Sequence, residues 1–421
     1  MSIWAVSGAA GCGKTYRLME RLTEVVKAKP LLAGEAVLAL TYMHGSRLRL
    51  DRRLQLLPEV KAQFTCTTID SFARRLRERW LSLGKSFGLP PPNDVGFDDQ
   101  CAMAGILLDQ PEVRKWIASS YPVLIIDEAQ DLDENRLRIV TALRNDIQVL
   151  IAFDDFQCLR EELRPNPVSV WLPSTVEVEV LEKPWRTDVS DLLNAALALR
   201  SACPPIAKGK FKIVACPGVA QASAYLASAI HWSPKGAGIA VITPSKKGGF
   251  VEGIVARVST TPCGIKKIGP YPVRWELNNA ADQALLDALD LDSVSNLGDL
   301  AKKIRELPPN NFTRQLASWT KKQRYALGKT EVSKQEVADY LKRQVALRRT
   351  RAKPLDYGIP TMTVHQAKNR EFDGVVVIWP FTVAGDDESK RRLLYNAVTR
   401  ARKWCTVIVQ NESLLSKAPF I

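Results

Sequence analysis

The feature that most constrains the fold is a glycine-rich segment near the start of the sequence, which ends in lysine and threonine. In the pattern Gly-x4-Gly-Lys-Thr, backbone N–H groups converge on phosphates, the lysine reaches the β- and γ-phosphates, and the hydroxyl serves Mg²⁺. An apolar strand is predicted before the segment over 3–6 and a helix after it over 16–26, which favours a phosphate cradle over an accidental glycine-rich turn. The predicted nucleotide-binding residues are Gly8, Ala9, Ala10, Gly11, Cys12, Gly13, Lys14 and Thr15.

A second informative feature is the excess of positive charge. The 421 residues include 59 Lys and Arg against 45 Asp and Glu, which gives a net charge of +14. Such a balance suits a polyanionic partner, and nucleic acid is favoured over an acidic membrane surface. The segment 300–353 holds 15 basic and 4 acidic residues, so we expect it to contact phosphates rather than form only a solvated helix face.

The sequence disfavours several classes of protein. No stretch approaches 18 uninterrupted apolar residues, so no membrane span is expected, and the early core strand argues against a signal peptide. The eight cysteines are scattered without a Cys-x-x-Cys pair, which is typical of reduced thiols in a cytoplasmic protein. Three histidines without ligand spacing argue against a zinc site.

Continuous apolar runs separated by helical patterns predict two parallel sheets. Runs without alternation suit strands that are buried on both faces. The predicted fold class is α/β, with two P-loop NTPase-type domains, each a parallel sheet flanked by helices. In the first half the runs occupy 36–41, 123–127 and 147–153, and in the second half 238–243, 374–379 and 405–409.

Two segments interrupt this alternation and are predicted to be insertions. The first, ATP-binding domain is expected to comprise 1–83 and 118–187, with a short insertion at 84–117. The second domain is expected to comprise 188–291 and 357–421, with a basic helical insertion at 292–356.

Acidic and basic residues elsewhere complete the predicted nucleotide site. Asp127 and Glu128 end an apolar run, where one carboxylate can hold Mg²⁺ and the next can accept a proton from the attacking water. Gln157 follows another apolar run and is placed to sense the γ-phosphate. Arginine forks stabilise charge on a transferring phosphoryl group. Arg400 is expected on the second domain, and Arg186 lies directly before that domain begins. Closure of the cleft between the domains would therefore be a condition for hydrolysis.

The order of these motifs resembles that of superfamily 1A DNA helicases of the UvrD, Rep and PcrA type. The likeness runs from Ser7 to about Val409. Each short match is weak alone, but their shared order is difficult to explain otherwise. Besides the loop and the acidic motif DEAQD, the matching segments are LTYMHGSR at 40–47, TIDSF at 68–72, FDDFQ at 153–157, PWRT at 184–187, TVHQAKNREF at 363–372 and YNAVTRA at 395–401.

The resemblance implies an activity and residue roles. It implies hydrolysis of Mg²⁺-ATP coupled to 3′–5′ movement on single-stranded DNA or at a junction with duplex. Arg186 and Arg400 would be arginine fingers, and Glu371 would lie near the nucleotide sugar. Trp185 takes the position of an adenine-stacking tyrosine, with a core tryptophan as the alternative.

Translocases hold single strands by phosphate contacts and base stacking. For Tyr42 a base contact and a packing role at the strand end are equally favoured, whereas Phe72 is predicted to lie in the core. The residues that match DNA-contacting positions are Thr41, Tyr42, His44, Arg47, Thr68, Thr363 and His365.

The sequence departs from the family in three places. The loop begins so close to Met1 that an upstream adenine-reading glutamine motif is not expected, which leaves base selectivity relaxed or dependent on Trp185. Asn369 replaces a glycine, and asparagine tolerates the left-handed backbone conformation. The short insertions favour translocation and ATPase activity over processive unwinding.

Two alternatives remain at the level of the sequence. The chain could be a DNA-stimulated ATPase that serves as sensor or motor subunit of a repair or anti-phage defence complex, with a nuclease on another chain. A non-catalytic, nucleotide-gated binding module is the other alternative. The intact set of Lys14, Asp127, Glu128, Gln157, Arg186 and Arg400 argues against it.

Overall fold

The computed structural model describes residues 3–42, 44–60, 63–92, 95–276, 288–309, 311–351 and 358–421. In this part of the chain, strands β1 to β14 are Ile3–Gly8, Val37–Thr41, Phe64–Thr68, Val123–Asp127, Gln148–Phe153, Val178–Leu181, Phe211–Ala215, Ile239–Thr243, Val273–Trp275, Val294–Asn296, Glu331–Ser333, Ile359–Thr363, Phe372–Trp379 and Ala401–Val409. Helices α1 to α16 are Lys14–Ala28, His44–Gln55, Ile69–Arg79, Leu81–Ser86, Phe97–Leu108, Pro111–Ser120, Glu134–Leu143, Pro167–Trp171, Ser190–Arg200, Val219–His231, Phe250–Thr260, Leu297–Glu306, Asn311–Tyr325, Lys334–Arg351, Val364–Ala367 and Asp387–Val398.

The first sheet has the strand order β3-β2-β4-β5-β1-β6, and all its neighbouring strands are parallel. Its central strands are buried on both faces, because helices cover the sheet from two sides and form two apolar cores. The strands predicted from continuous apolar runs are confirmed. The sequence did not predict β3, which is rich in threonine, or the half-exposed edge strand β6.

The segment 84–117 differs from the predicted separate insertion. Helices α5 and α6 pack beside α3 and α7, and their apolar side chains belong to the same core as those of the first sheet. Burial of a shared apolar face therefore places most of this segment in the first domain. The side chains that show this are Cys101, Ala104, Leu108, Val113 and Ile117.

The second sheet has the strand order β7-β14-β13-β8-β12-β9, again with parallel neighbours. Apolar cores lie on both of its faces. Helix α16 ends at Val398, and β14 begins at Ala401. Arg402 and Lys403, the second and third residues of β14, are exposed. The two parallel sheets confirm the predicted fold class.

The chain divides into two compact units. One comprises 1–89, 96–275 and 353–421 and contains both parallel sheets. The other comprises 90–95 and 276–352. In the second unit, β10 and β11 form an antiparallel pair, and α12 to α14 pack around apolar side chains such as Leu300, Leu316 and Val337. The basic segment is therefore mainly helical. The domain boundaries that we inferred from the sequence remain predictions.

Three observations narrow the kinds of site to consider. All eight cysteines are free thiols, as predicted. Among the described residues, no group of three or more His, Cys, Asp or Glu side chains is arranged to hold a metal ion. No helix in the described ranges is long and apolar enough to cross a membrane.

Candidate nucleotide site

The glycine-rich loop connects β1 to α1 and is held in a conformation that requires glycine. Gly11 and Gly13 have φ of 85° and 84°, in the left-handed region. A Cβ on Gly11 would also lie 2.7 Å from the Cβ of Arg186. Lys14 folds back over the loop, and its Nζ donates to the carbonyl oxygens of Gly8 (2.9 Å) and Ala9 (3.1 Å). The loop thus has the geometry of a phosphate cradle.

The carboxyl end of β4 brings the predicted acidic pair to this loop. The Thr15 hydroxyl donates to Oδ2 of Asp127 over 2.9 Å. That separation matches two adjacent ligands of an octahedral Mg²⁺ with metal–oxygen distances of about 2.1 Å. These two oxygens therefore fit Mg²⁺, which usually takes few protein ligands and completes its shell with water and phosphate.

Glu128 is held in place from several sides. Its backbone adopts φ 61°, and its Oε2 accepts from Nε2 of Gln130 over 2.7 Å. Burial alone would raise the pKa of the Glu128 carboxyl, but Lys368, Lys14 and Arg49 hold that pKa below its ordinary value. Burial and the charge of Glu128 raise the pKa of Asp127. Of the two carboxyl groups, Glu128 is therefore the more readily ionised, and it is the carboxylate that can accept a proton.

Arg400 forms the opposite wall from the second sheet. Its side chain is 1% exposed and donates to the Asn396 carbonyl (3.0 Å), the Thr399 hydroxyl (3.2 Å) and Oε1 of Gln157 (3.4 Å). Among the described residues it forms no ion pair. Burial and the nearby Arg186 lower the pKa of the guanidinium to about 9. A buried cation without a carboxylate partner is costly unless an anion approaches it.

Arg186 lies in the connection between β6 of the first sheet and α9, close to the predicted boundary of the two domains. Its Nε donates to Oε1 of Glu371 (3.0 Å) and its Nη1 to the Thr399 carbonyl (2.9 Å). Burial raises the pKa of Glu371, but Arg186 and Arg402 outweigh this and lower that pKa to about 2. The Arg186 side chain therefore reaches the second domain although its backbone packs on the P-loop.

Trp185 is 71% exposed, so the alternative of a core tryptophan is wrong. Its backbone N–H donates to the Gly11 carbonyl over 2.7 Å. Its ring carbon Cδ1 lies 3.4 Å from the position of a Cβ on Gly13. One face of the ring is approached by Nζ of Lys183, 4.4 Å from the ring centre. The indole thus lies beside the phosphate loop with most of its surface exposed.

These residues enclose a cavity of about 400 Å³ between the two sheets. Of the described residues, six cationic and two acidic side chains line it, a charge balance that suits a polyphosphate. The sequence analysis missed Arg49, Arg53 and Arg402. Arg49 and Arg53 lie four residues apart on α2, and this spacing was a signal that one helix face points to the site.

Hydrogen bonds and ion pairs tie the two sheets together around the cavity. The Ala10 N–H donates to the Tyr395 hydroxyl over 2.8 Å. Lys368 forms a buried ion pair with Asp131 at 2.6 Å. The Asn369 that follows has φ 66°, so the expected left-handed turn is confirmed.

Asp154 is a fully buried carboxylate at the centre of a further network. It accepts from Nη1 of Arg200 (2.7 Å) and Nε2 of Gln157 (2.8 Å), and it lies 3.7 Å from Nζ of Lys14. The Asp154 carboxylate therefore positions both Lys14 and Gln157, and it is itself held by Arg200 of the second domain.

The candidate DNA contacts lie at the carboxyl ends of strands. Thr41 and Thr68 are register partners at the ends of β2 and β3, and Thr68 caps α3. Thr363 ends β12 and caps α15 in a capping box, and His365 is exposed on α15. Phe72 is buried in the core, as predicted.

The three remaining candidates cluster near the start of α2. The ring of Tyr42 lies between the guanidinium groups of Arg136 and Arg160, 5.3 and 5.5 Å from its centre. This contact gives Tyr42 a packing role in the structure and leaves its role as a base contact a prediction. Arg47 is half-buried on α2, and its Nε has no hydrogen-bond partner in the described residues. His44 begins α2, and its side chain lies outside the described part.

Comparison with known proteins adds two domain matches. Residues 1–161 match an AAA domain, and residues 360–408 match the UvrD-like helicase C-terminal domain. No curated protein sequence matches the chain significantly. Among solved structures, the chain is similar to the arterivirus nonstructural protein 10 helicase, at 13% identity and a TM-score of 0.40. It is also similar to that helicase in complex with DNA, at 13% identity and a TM-score of 0.41.

The structural alignments include all of this chain but only 62% and 63% of those two chains, so this chain spans less than two thirds of their length. The assignment therefore depends on the domain matches and on the motifs between them. An amino-terminal NTPase domain is followed by a UvrD-like carboxyl-terminal domain. The two parallel sheets with their flanking helices are two RecA-like domains. The two domain matches, in this order along the chain, support a UvrD-like helicase of superfamily 1.

Proposed function

We propose that this protein hydrolyses Mg²⁺-ATP and couples hydrolysis to 3′–5′ movement along single-stranded DNA. The observation that carries the proposal is the composition of the cavity between the two RecA-like domains. Lys14, Thr15 and Glu128 approach it from the first domain, and Arg400 from the second. A triphosphate bound there would contact both domains, which is what coupling of chemistry to movement requires.

The proposed chemistry follows from the residues that line the cavity. Lys14 and the loop N–H groups would bind the phosphates. Mg²⁺ would be held by Thr15 and Asp127 and would neutralise phosphate charge. Glu128 would accept the proton of the attacking water, which Gln157 orients. Arg186 and Arg400 would stabilise the charge that develops on the transferred phosphoryl group.

Coupling to DNA would use the strand ends beside the cavity. Thr41 and Thr68 lie at the carboxyl edge of the first sheet, and Thr363 lies at that of the second. The edge of the first sheet also carries Gly8 and Asp127 of the nucleotide site. In the second domain, Glu371 and Arg400 directly precede β13 and β14, at the edge opposite to that of Thr363. A change in the separation of the two domains would therefore move the two groups of DNA contacts relative to each other, which supports stepwise translocation. The net charge of +14 favours the polyanionic partner.

The test combines an ATPase assay with a strand-displacement assay. We expect single-stranded DNA to stimulate ATP hydrolysis and a 3′-tailed duplex to be the preferred displacement substrate, with a 5′-tailed duplex as its control. Absence of any stimulation by DNA would exclude the translocase. Stimulation without displacement on either duplex would instead support the second candidate, a motor or sensor subunit of a repair or defence complex. The exposed basic helices in place of larger accessory subdomains favour that candidate.

Trp185 provides a test of the base site. We expect Trp185→Ala to raise the KM for ATP about tenfold or more, because base–aromatic stacking contributes about 1–3 kcal/mol, while kcat changes little. Trp185→Phe should restore most of the affinity, since it keeps an aromatic face. Steady-state kinetics with ATP and GTP measure both effects. An unchanged KM in the alanine variant would remove Trp185 from the nucleotide site.

Helix α13 of the basic segment provides a test of DNA binding. Lys321, Lys322 and Arg324 are exposed on α13, so their charge reversal should not disturb the fold. We expect the triple Glu variant to weaken oligonucleotide binding and to reduce the salt dependence of log Kd by up to about 0.7 for each lost phosphate contact.

The matched control reverses three other exposed lysines and changes the net charge equally: Lys29, Lys85 and Lys417. Titrations monitored by fluorescence anisotropy at several salt concentrations compare the two variants. If both variants keep the wild-type slope, α13 is a solvated surface without a role in binding.

A further inference from the structure

A second concave surface lies at the β7 edge of the second sheet, several strands away from the motif residue Thr363 on β12. It encloses about 360 Å³ and has no lining residue in common with the nucleotide cavity. Three strands, β14, β13 and β8, separate β7 from β12, which carries Thr363. We call this concave surface the β7-edge groove and define it by Lys210, Lys212, Tyr225, Trp232 and Trp404.

Aromatic side chains form one side of the β7-edge groove. Tyr225 and Trp232 are seven residues apart in sequence, Tyr225 within α10 and Trp232 directly after it, so they follow one face at a spacing of about two turns. Tyr225 is 43% and Trp232 69% exposed, whereas Leu226 and Ile230 on the other face are buried in the core. Large aromatics exposed together are unusual on a protein surface without a binding role.

Lysines form the other side. Lys210 and Lys212 are exposed at the start of the edge strand, and neither forms an ion pair in the described part of the chain. Lys212 is the register partner of Thr406 on β14, next to Trp404. The carboxylate of Asp191 accepts the backbone N–H of Lys210 over 2.9 Å and forms no ion pair with either ammonium group.

We propose that the β7-edge groove binds a phosphate-plus-nucleobase unit of a single-stranded nucleic acid, as a second contact outside the strand ends that carry the motifs. Base–aromatic stacking and phosphate–lysine contacts are both independent of sequence, as binding along any strand requires. Tyr225 and Trp232 would stack on bases, and Lys210 and Lys212 would contact the flanking phosphates. A pocket of this volume is within the range that holds a nucleotide-sized ligand.

This chemistry argues against other occupants. Among the described residues no carboxylate lines the groove, and its large apolar side chains are aromatic, so a basic peptide is disfavoured. The same phosphate-plus-base unit could reach the groove in a strand or as a free nucleotide. The experiment therefore includes both.

The direct test is photo-cross-linking of a 4-thiothymidine-containing oligonucleotide to the full chain, with the cross-linked peptides identified by mass spectrometry. We expect adducts in the peptides that contain Tyr225 or Trp232. The parallel reaction uses 4-thiothymidine monophosphate. Adducts with the strand alone support the proposal. Adducts with the mononucleotide alone identify a free-nucleotide pocket and overturn the strand assignment, and adducts with neither overturn the proposal.

Binding measurements on variants test the contribution of individual groove residues. We expect Lys210→Glu/Lys212→Glu and Trp232→Ala each to weaken binding of a 40-nucleotide oligo(dT) about tenfold or more. Binding of an 8-nucleotide oligo(dT), which the motif residues can hold alone, should change less than twofold. The controls are Lys29→Glu/Lys417→Glu and Phe381→Ala, which alter exposed side chains elsewhere.

Thermal unfolding of each variant checks that the fold is kept. Equal losses for both oligonucleotide lengths, or no loss for either, would contradict a second contact. If wild-type protein binds no DNA and its ATPase is not stimulated, the proposed translocase function fails. In that case, cross-linking with 4-thiothymidine monophosphate still shows whether the β7-edge groove binds a nucleotide.

Discussion

Replacing Glu128 with glutamine is expected to lower the kcat of ATP hydrolysis by about 10²–10⁴-fold, the usual contribution of a positioned general base. The carboxylate is buried, its Oε2 is held by Gln130 at 2.7 Å, and neighbouring cations keep it ionised. Glutamine has nearly the same shape and keeps an acceptor for Gln130, so the variant should fold normally. Because it removes a negative charge from a site built for phosphates, we expect ATP to bind as tightly or more tightly.

Pre-steady-state hydrolysis and equilibrium binding of a fluorescent ATP analogue separate these two effects. Glu112→Gln, on the exposed side of α6, is the matched control and should behave as wild type. A Glu128→Gln variant that keeps kcat within a factor of ten would show that another group accepts the proton. A variant that loses ATP binding instead would show that Glu128 supports the loop rather than the chemistry.

The second large effect concerns Arg400, where activity and stability should respond in opposite directions. Arg400→Met is expected to reduce kcat by about 10³-fold or more, the range for arginines that stabilise phosphoryl transfer. The same change should leave the nucleotide-free protein equally or more stable, by about 1 kcal/mol or more. The guanidinium is buried and forms no ion pair with the described residues, and an apolar side chain of similar volume avoids the cost of removing that charge from water.

Arg392 on α16 is the internal control for this prediction. It is also buried, but it pairs with Asp155 and Glu388, both at 2.7 Å. Arg392→Met should therefore destabilise the fold, because it leaves two carboxylates without their partner. Thermal unfolding without nucleotide compares the two variants. If Arg400→Met loses stability as Arg392→Met does, the guanidinium of Arg400 is a structural group rather than one reserved for a phosphate.

The sequence predicted those parts of the fold that local patterns determine. Continuous apolar runs identified the central strands because burial on both faces leaves no polar positions. Strand β3 was missed, since its threonines resemble a loop until β2 and α3 pack against it. The segment 84–117 was assigned to an insertion because its fit into the first core depends on α3 and α7, which are distant in sequence.

The candidate site shows the same division. Residues in short motifs, such as Lys14 and Asp127, could be named because their spacing has one chemical meaning. Arg49 and Arg402 were not named. The spacing of Arg49 and Arg53 indicates that they share a helix face, but only the packing of α2 and β14 brings these arginines to the cavity. The contact of Arg186 with the other domain also could not be predicted, since its backbone follows a first-sheet strand while its guanidinium reaches Thr399. Roles for these residues remain predictions that the kinetics above can test.

The hydrogen bond between the Ala10 N–H and the Tyr395 hydroxyl has a mechanical consequence. The donor belongs to the loop that would hold the phosphates, and the acceptor belongs to a helix of the other domain. Separation of the domains must break this bond and release a backbone donor within the cradle itself. The phosphate loop and the relative position of the domains are therefore parts of one mechanical linkage, even before any nucleotide bridges them.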